Sequence, residues 1–257
     1  MGKLHLIGVI PVEHEKIMQN RDECSERGLP RLASHNKRDG RLAIVGGGPS
    51  VSHYLNRIAG YKEVLAINGA CKFLRDHGIE STFFAVDPHD IVAKWAPGAK
   101  KALLCDRVCP EVFDILNDAD VTVFELANDV PGGVCAGSST ASAGFILGPI
   151  LGYEFVDFYG CESSFEGQSH AYMDEALEEI LWVEVGGKEY KTRPDFYLQA
   201  QEMSQIFKKF PRAFTAYGGG LLQAMIDHDD HDVKYVSRVF MNRLKPTQEL
   251  LAECQSS

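Results

Sequence analysis

The chain has 257 residues, 45% of them hydrophobic and 24% charged, enough to bury a sizeable core and too mixed for collagen, coiled coil or wholesale disorder. Lys and Arg number 26 against 36 Asp and Glu, so the formal net charge is −10. That balance argues against nucleic acid as a partner, since a phosphate backbone needs a basic surface, but it leaves room for a local basic pocket that takes one small anion.

Residues 3–10 (KLHLIGVI) read as a strand or docking arm, and the polar stretch 12–40 as a leader with one helix around 13–26 and then a loop. From Leu42 the pattern changes. Short apolar runs at 42–45, 64–68, 81–87, 101–105, 121–126 and 155–160 alternate with helical stretches near 49–59, 69–77, from Pro110, and 139–151. Strands of about five apolar residues alternating with helices predict an α/β fold: a Rossmann-like, mostly parallel sheet flanked by helices. Residues 127–139 and 161–172 read as loops, 182–192 as a small hairpin insertion turning at Gly186-Gly187, 194–210 as a helix opened by Pro194, and 213–220 as a seventh strand entering a glycine loop. The expected organisation is a leader over 1–40, a nucleotide-binding transferase domain over 41–240, and a polar tail over 241–257.

No apolar run approaches the roughly 18 residues of a membrane span, and the N-terminus lacks a signal-peptide layout, so the expected location is cytoplasmic. Seven cysteines scattered from Cys24 to Cys254 fit reduced thiols, and no second Cys/His pair accompanies Cys105 and Cys109 at zinc spacing.

Five constellations can carry chemistry. Gly46-Gly47-Gly48-Pro49-Ser50 joins a strand to a helix, where free amides and the helix dipole suit a phosphate; a ligand-free tight turn is the plainer reading. Ser138, Ser139 and Thr140 open a helix rich in small residues, which serves anion binding or capping with close helix–sheet packing. Asn68 and Asp87 end strands and so face the ligand crevice of a parallel sheet, or cap turns. Asp87, His89 and Asp90 offer weak metal spacing, and no metal site is assigned. Gly160, Glu162, Ser169, His170 and Tyr172 follow a strand and point to substrate contacts, with His170 able to move a proton near neutral pH. Lys191 and Arg193 are cations that can neutralise a departing phosphate, or ordinary hairpin charge. The run His228 to Asp232 reads as a solvated loop whose contiguous side chains diverge.

The ordered set AIVGGGPSV (43–51), VLAINGACKFLRDHGIESTFFAVDPH (64–89) and GSSTASAGFILGPILGYEFVDFYGCESSFEGQSHAY (137–172) resembles the MptE-like group. That group includes archaeal 6-hydroxymethylpterin diphosphokinases and the Maf motility-associated factors, and is related to bacterial sialyltransferases that use CMP-activated sugars. The resemblance implies a nucleotide-phosphate loop at Gly46–Ser50, although Gly47 stands where the sialyltransferases carry Asn. It implies donor contacts from Asn68, Ser139 and Thr140, a leaving-phosphate contact at His170 in place of their Tyr, and a terminal aromatic at Tyr172. Glu162 replaces the usual Asp of a G-x-D loop, and GGKEYKT (186–192) is similar to a Maf G-G-x-x-x-x-T segment. The expected function is group transfer from a nucleotide-activated small-molecule donor, foremost glycosyl transfer from a CMP- or similar nucleotide-sugar, with His89 and His170 as candidate bases. The first alternative is diphosphoryl transfer from ATP to a hydroxymethylpterin, which would bring Mg²⁺ as cofactor. The second is a non-catalytic nucleotide-binding module. The acceptor is open, and a homo-oligomer is allowed for.

Overall fold

The computed structural model describes residues 12–126, 133–134, 137–164 and 179–240. The expected arm over 3–10, the tail over 241–257, most of the 127–139 loop, and Ser169, His170 and Tyr172 lie outside these residues.

Six βα-type steps build the main sheet. The strands are β1 (Arg41–Val45), β2 (Val64–Ile67), β3 (Thr82–Ala85), β4 (Lys101–Cys105), β5 (Asp120–Phe124), β6 (Phe155–Tyr159) and β9 (Phe214–Tyr217). They lie in the order β5-β4-β3-β2-β1-β6-β9, with every neighbour parallel. This is the α/β, Rossmann-like sheet expected from the alternating apolar runs. The chain fills one side of β1 with β2 to β5 and then returns to its other side with β6. That reversal places the crevice of a doubly wound sheet between the C-terminal ends of β1 and β6.

Helices cover both faces because the strands are apolar on both sides: Leu42, Ala43, Ile44 and Val45 are all fully buried. Helix α5 (Thr140–Ile150) lies directly on β1 and β6. Gly144 and Gly148 permit this, since a methyl on them would sit 2.1 Å from Ile44 Cδ1 and 2.4 Å from Val156 Cγ2. Close packing thus accounts for the small residues of this helix. The other helices are α1 (His14–Glu26), α2 (Leu55–Ile58), α3 (Gly69–Asp76), α4 (Pro110–Ile115), α6 (Pro194–Lys209) and α7 (Gly220–Asp227). Phe145 of α5, Phe207 of α6, Phe158 and Phe214 form an aromatic cluster, with Phe145 and Phe214 edge-to-face at 4.7 Å.

Two sequence expectations change. The stretch after Gly48 is not a regular helix: Pro49–Tyr54 is 3₁₀ before α2 begins. The hairpin is a three-stranded antiparallel sheet, β10-β7-β8, because β10 (Lys234–Phe240) adds to β7 (Glu179–Val185) and β8 (Lys188–Thr192). Its turn is correctly placed, with Gly186 and Gly187 at φ 58° and 80°, values that both central residues of a type I′ turn require. This sheet shares a small second core with α6 and α7, built on Val183, Val185, Ala200, Leu221 and Met225.

The leader carries the expected helix, α1 over His14–Glu26, and is fastened to the domain. The Leu32 amide donates to Val123 O at 2.7 Å and the Val123 amide to Pro30 O at 2.8 Å, so residues 30–32 extend the sheet beyond β5. Cys24 is buried in the main core. Asn20 Nδ2 donates to Arg107 O at 2.9 Å, and Arg21 pairs with Asp106 at 2.8 Å, so α1 grips the loop that follows β4.

Candidate functional site

A cavity of about 430 Å³ opens at the C-terminal ends of β1, β2, β3 and β6, where the strand order reverses. Of the residues singled out from sequence, Gly46, Gly47, Gly48, Asn68, Asp87, Ser138, Ser139, Thr140, Gly160 and Glu162 line it. Both glycine/serine segments therefore face one crevice, as the sheet topology demands.

Several amides in those segments already have acceptors within the chain, which narrows the picture of two free anion cradles. Gly46 N donates to Tyr159 O at 2.8 Å and Gly48 N to Gly160 O at 2.9 Å. The Ser50 amide donates to Glu162 Oε1 at 3.1 Å. At the start of α5, Glu202 Oε2 accepts from the Ser138 amide at 2.8 Å and from Ser138 Oγ at 2.7 Å. The physical reason is that amides at loop and helix starts need acceptors, and here two glutamates of the chain supply them. The glycines are needed first for backbone against backbone: a Cβ on Gly46 would lie 2.5 Å from Gly160 O. What stays available to a ligand is the first turn of α5, where Thr140 and Ala141 line the cavity. Their amides have no acceptor within the helix, while the Ser142 amide is capped by Ser139 Oγ at 3.2 Å.

Two residues on the cavity wall are held in backbone conformations that L-residues avoid. Asn68, between β2 and α3, has φ 49° and ψ −124°. Ser163 has φ 56°. Such conformations cost about 1–3 kcal/mol each and cluster at ligand sites. Asn68 is held there by its amide donating to Phe84 O at 3.1 Å and by the Cys71 amide donating to its carbonyl at 3.1 Å. Its side-chain Oδ1 is buried and has no hydrogen-bond partner among the described residues. Ser163 is pinned from two sides: Thr192 Oγ1 donates to Ser163 O at 2.6 Å, and Gln199 Nε2 to Ser163 Oγ at 2.9 Å.

The expected cations and bases fall elsewhere. Arg193 is bidentate to Asp195, at 3.0 and 2.9 Å, and lies over the Phe196 ring at 5.0 Å. Neither it nor Lys191 is among the described lining residues. His89 is also off the wall: Asp87 Oδ1 accepts the His89 amide at 2.9 Å in a tight Asx turn. Pro49 and Ser50 sit behind Gly48. The cation on the described wall is Arg107, which follows β4, and the aromatic faces are Trp95 and Phe196. The rule that located Asn68 and Asp87, polar residues just past a parallel strand, points equally to Arg107. Asp195, Phe196 and Gln199 belong to a helix the sequence predicts, but its approach to the crevice is a tertiary fact.

The carboxylates do not fit a magnesium site. Asp87 serves its own turn, Asp195 is paired with Arg193, Glu162 holds the Ser50 amide, and Asp90 is bound by Lys16 at 2.7 Å. Among the described residues the ligand-bearing atoms that gather are those of Asp229, His231 and Asp232, within 4.8 Å of one another. That overturns the expected divergence, because a 3₁₀ turn over Asp230–Asp232 curls them together. They are solvent-facing and off the cavity, and exposed acidic groups commonly gather without an ion.

Burial pushes the Glu162 carboxyl above the usual glutamate range, and pushes the neighbouring Cys161 thiol up to about 12. The described cysteines Cys24, Cys71, Cys105, Cys109 and Cys161 are all buried free thiols, as the reduced-cysteine expectation has it. No described helix is long and apolar enough to cross a membrane.

No protein-family model matches the chain, and neither does any curated protein. Among solved structures, a Maf glycosyltransferase from Magnetospirillum magneticum AMB-1 matches over 82% of this chain, with 15% identity and a TM-score of 0.56. The match spans only 37% of that protein's length. A mammalian sialyltransferase matches over 84% of this chain and 83% of its own, with 14% identity and a TM-score of 0.42. At such identities the likeness is one of fold: the chain carries the Rossmann-like α/β architecture that it shares with the Maf glycosyltransferase.

Proposed function

We propose that the cavity binds a nucleotide-activated donor and transfers its glycosyl group to an acceptor hydroxyl, with a CMP- or similar nucleotide-sugar as the donor class. The observation that carries this reading is Asn68: a strained residue that lines a cavity at the switch point of the sheet and has a buried amide oxygen with no hydrogen-bond partner among the described residues. The shared fold with a Maf glycosyltransferase supports it.

In this reading the donor phosphate lies between Arg107 and the first-turn amides of α5, and Trp95 and Phe196 offer flat faces for the base. Attack by the acceptor oxygen forms a bond to the anomeric carbon and breaks the bond from that carbon to the phosphate oxygen. The electron pair leaves with the phosphate, whose growing charge Arg107 and the amides offset. The acceptor proton goes to a base that the sequence resemblance leaves unassigned; His170, which the resemblance implies as a contact to the leaving phosphate, is one candidate for it. Diphosphoryl transfer is the second reading, since Asp87, Asp195 and Glu162 each already hold a partner within the chain through at least one oxygen.

The test is a thermal-shift panel of CMP, UDP, GDP, ATP and a hydroxymethylpterin, with and without Mg²⁺. A nucleotide that binds only the native state raises the melting temperature by mass action. The expected result is a shift with a pyrimidine nucleotide that is independent of Mg²⁺ and is lost in Arg107→Ala and Gly47→Asp. A flat panel defeats the reading; a shift that needs both ATP and Mg²⁺ replaces it with diphosphoryl transfer.

A further inference from the structure

We propose that the Glu162 carboxyl takes up one proton when a nucleotide phosphate enters the cavity and, once neutral, donates a hydrogen bond from Oε2 to that phosphate. This deepens the nucleotide reading of the site and rests on it.

The geometry forces the issue. Glu162 follows β6, is only 6% exposed, and lines the cavity. Its Oε1 accepts the Ser50 amide, and its Oε2 is buried with no hydrogen-bond partner among the described residues. Oε2 lies flat against the glycine loop: a Cβ on Gly48 would stand 1.5 Å from it. From the opposite side the residue is walled in by the loop before α7. A Cβ on Gly218 would be 2.9 Å from Oε1, one on Gly220 would be 2.6 Å from the Glu162 Cβ, and the Leu222 amide donates to Glu162 O at 3.0 Å.

The carboxyl thus has glycine backbone on two sides and lines the same cavity as the proposed phosphate position, so a phosphate that reaches it meets a group with little free space around it. Two anions at contact distance in a buried site repel strongly. A carboxylic acid there removes the repulsion and converts the idle oxygen into a donor, as buried neutral carboxyls do for bound anions. Burial already favours the protonated form. The charged and titratable groups around Glu162 are few. His53 on the 3₁₀ segment favours the charged form, and Cys161 next in chain is a neutral thiol. Asp87, Asp195 and Arg107 line the same cavity.

The experiment is isothermal titration calorimetry with the nucleotide that gives the largest thermal shift, and with inorganic phosphate and pyrophosphate. Each is run at neutral pH in two buffers of different ionisation enthalpy. The wild type should take up about one proton per nucleotide, and its affinity should fall about tenfold per pH unit above the Glu162 pKa. Glu162→Gln, which carries a permanent donor, should bind without that uptake and with pH-independent affinity. Infrared difference spectra of the wild type should show a carboxylic-acid C=O band appearing on binding, which decides the matter even where the variant does not fold. Binding with no proton uptake, uptake that survives in Glu162→Gln, or no new acid band each overturns the proposal and leaves the nucleotide reading standing. If none of the probes binds, the nucleotide reading falls and this inference with it.

Discussion

Gly48→Ala is the sharpest probe of how the cavity wall is built. The new methyl would stand 1.5 Å from Glu162 Oε2, 2.6 Å from its carboxyl carbon and 2.8 Å from Gly160 O. The carboxyl has no room to retreat, because Gly218 and Gly220 press on it from behind. Expelling it forfeits the hydrogen bond from the Ser50 amide, a bond to a charged group worth about 1.5–3 kcal/mol. Crowding against the Gly160 carbonyl adds about 1–3 kcal/mol. The expected loss is about 2.5–6 kcal/mol, a large part of the stability of a typical domain. At about 2–4 °C per kcal/mol for a chain of this size, melting should drop by about 5–24 °C. Urea unfolding followed by circular dichroism measures the loss, and a double-mutant cycle with Glu162→Ala locates its source. With the carboxyl gone, only the contact with Gly160 remains, and the same substitution should cost about 1–3 kcal/mol. Equal costs in the two backgrounds would refute the claim that Glu162 packs on Gly48.

Asn68→Gly should stabilise the fold by up to about 1–3 kcal/mol in chemical denaturation, because glycine adopts φ 49° without strain, while nucleotide affinity falls; a variant that is destabilised, or that binds as well as wild type, contradicts the assigned role. Asp157 is fully buried and bidentate to Arg41 at 2.6 Å, with the Tyr61 hydroxyl donating to it as well. Asp157→Ala should cost about 3–5 kcal/mol in chemical denaturation, since it leaves Arg41 without its counter-charge; a loss under 1 kcal/mol would mean that solvent replaces the pair. The Glu162 carboxyl binds its proton more tightly folded than unfolded, so this group's contribution to stability declines as pH rises from the ordinary glutamate range through its raised folded pKa. The melting temperature of Glu162→Gln minus that of wild type should therefore climb with pH through that window, whatever its constant offset, and a flat difference rejects the raised pKa.

The sheet was legible because its strands are continuous apolar runs with buried faces on both sides, a pattern that needs no knowledge of partners. β10 was not, because Lys234–Phe240 alternates in character and becomes a strand only by pairing with β7, some fifty residues away. Integration of the leader was hidden for the same reason: its ties are backbone bonds from residues 30–38 to Val123, Ile150 and Gly152, which no side-chain pattern announces. The site divides along that line too. Residues just past parallel strands, Asn68, Asp87 and Glu162, face the crevice by topology alone, and the same topology delivers Arg107. Lys191 and Arg193 were proposed on charge, and charge does not say which way a hairpin turns. The glycines are the instructive case. A ligand phosphate and a neighbouring carbonyl impose the same demand on a loop, the absence of a Cβ. Gly46 and Gly48 meet that demand first for Gly160 and Glu162, so the motif that suggested an open phosphate cradle marks a place where the chain has closed on itself. On the proposal made above, a phosphate would enter beside that loop, against the first turn of α5, and the Glu162 carboxyl would take up a proton to receive it.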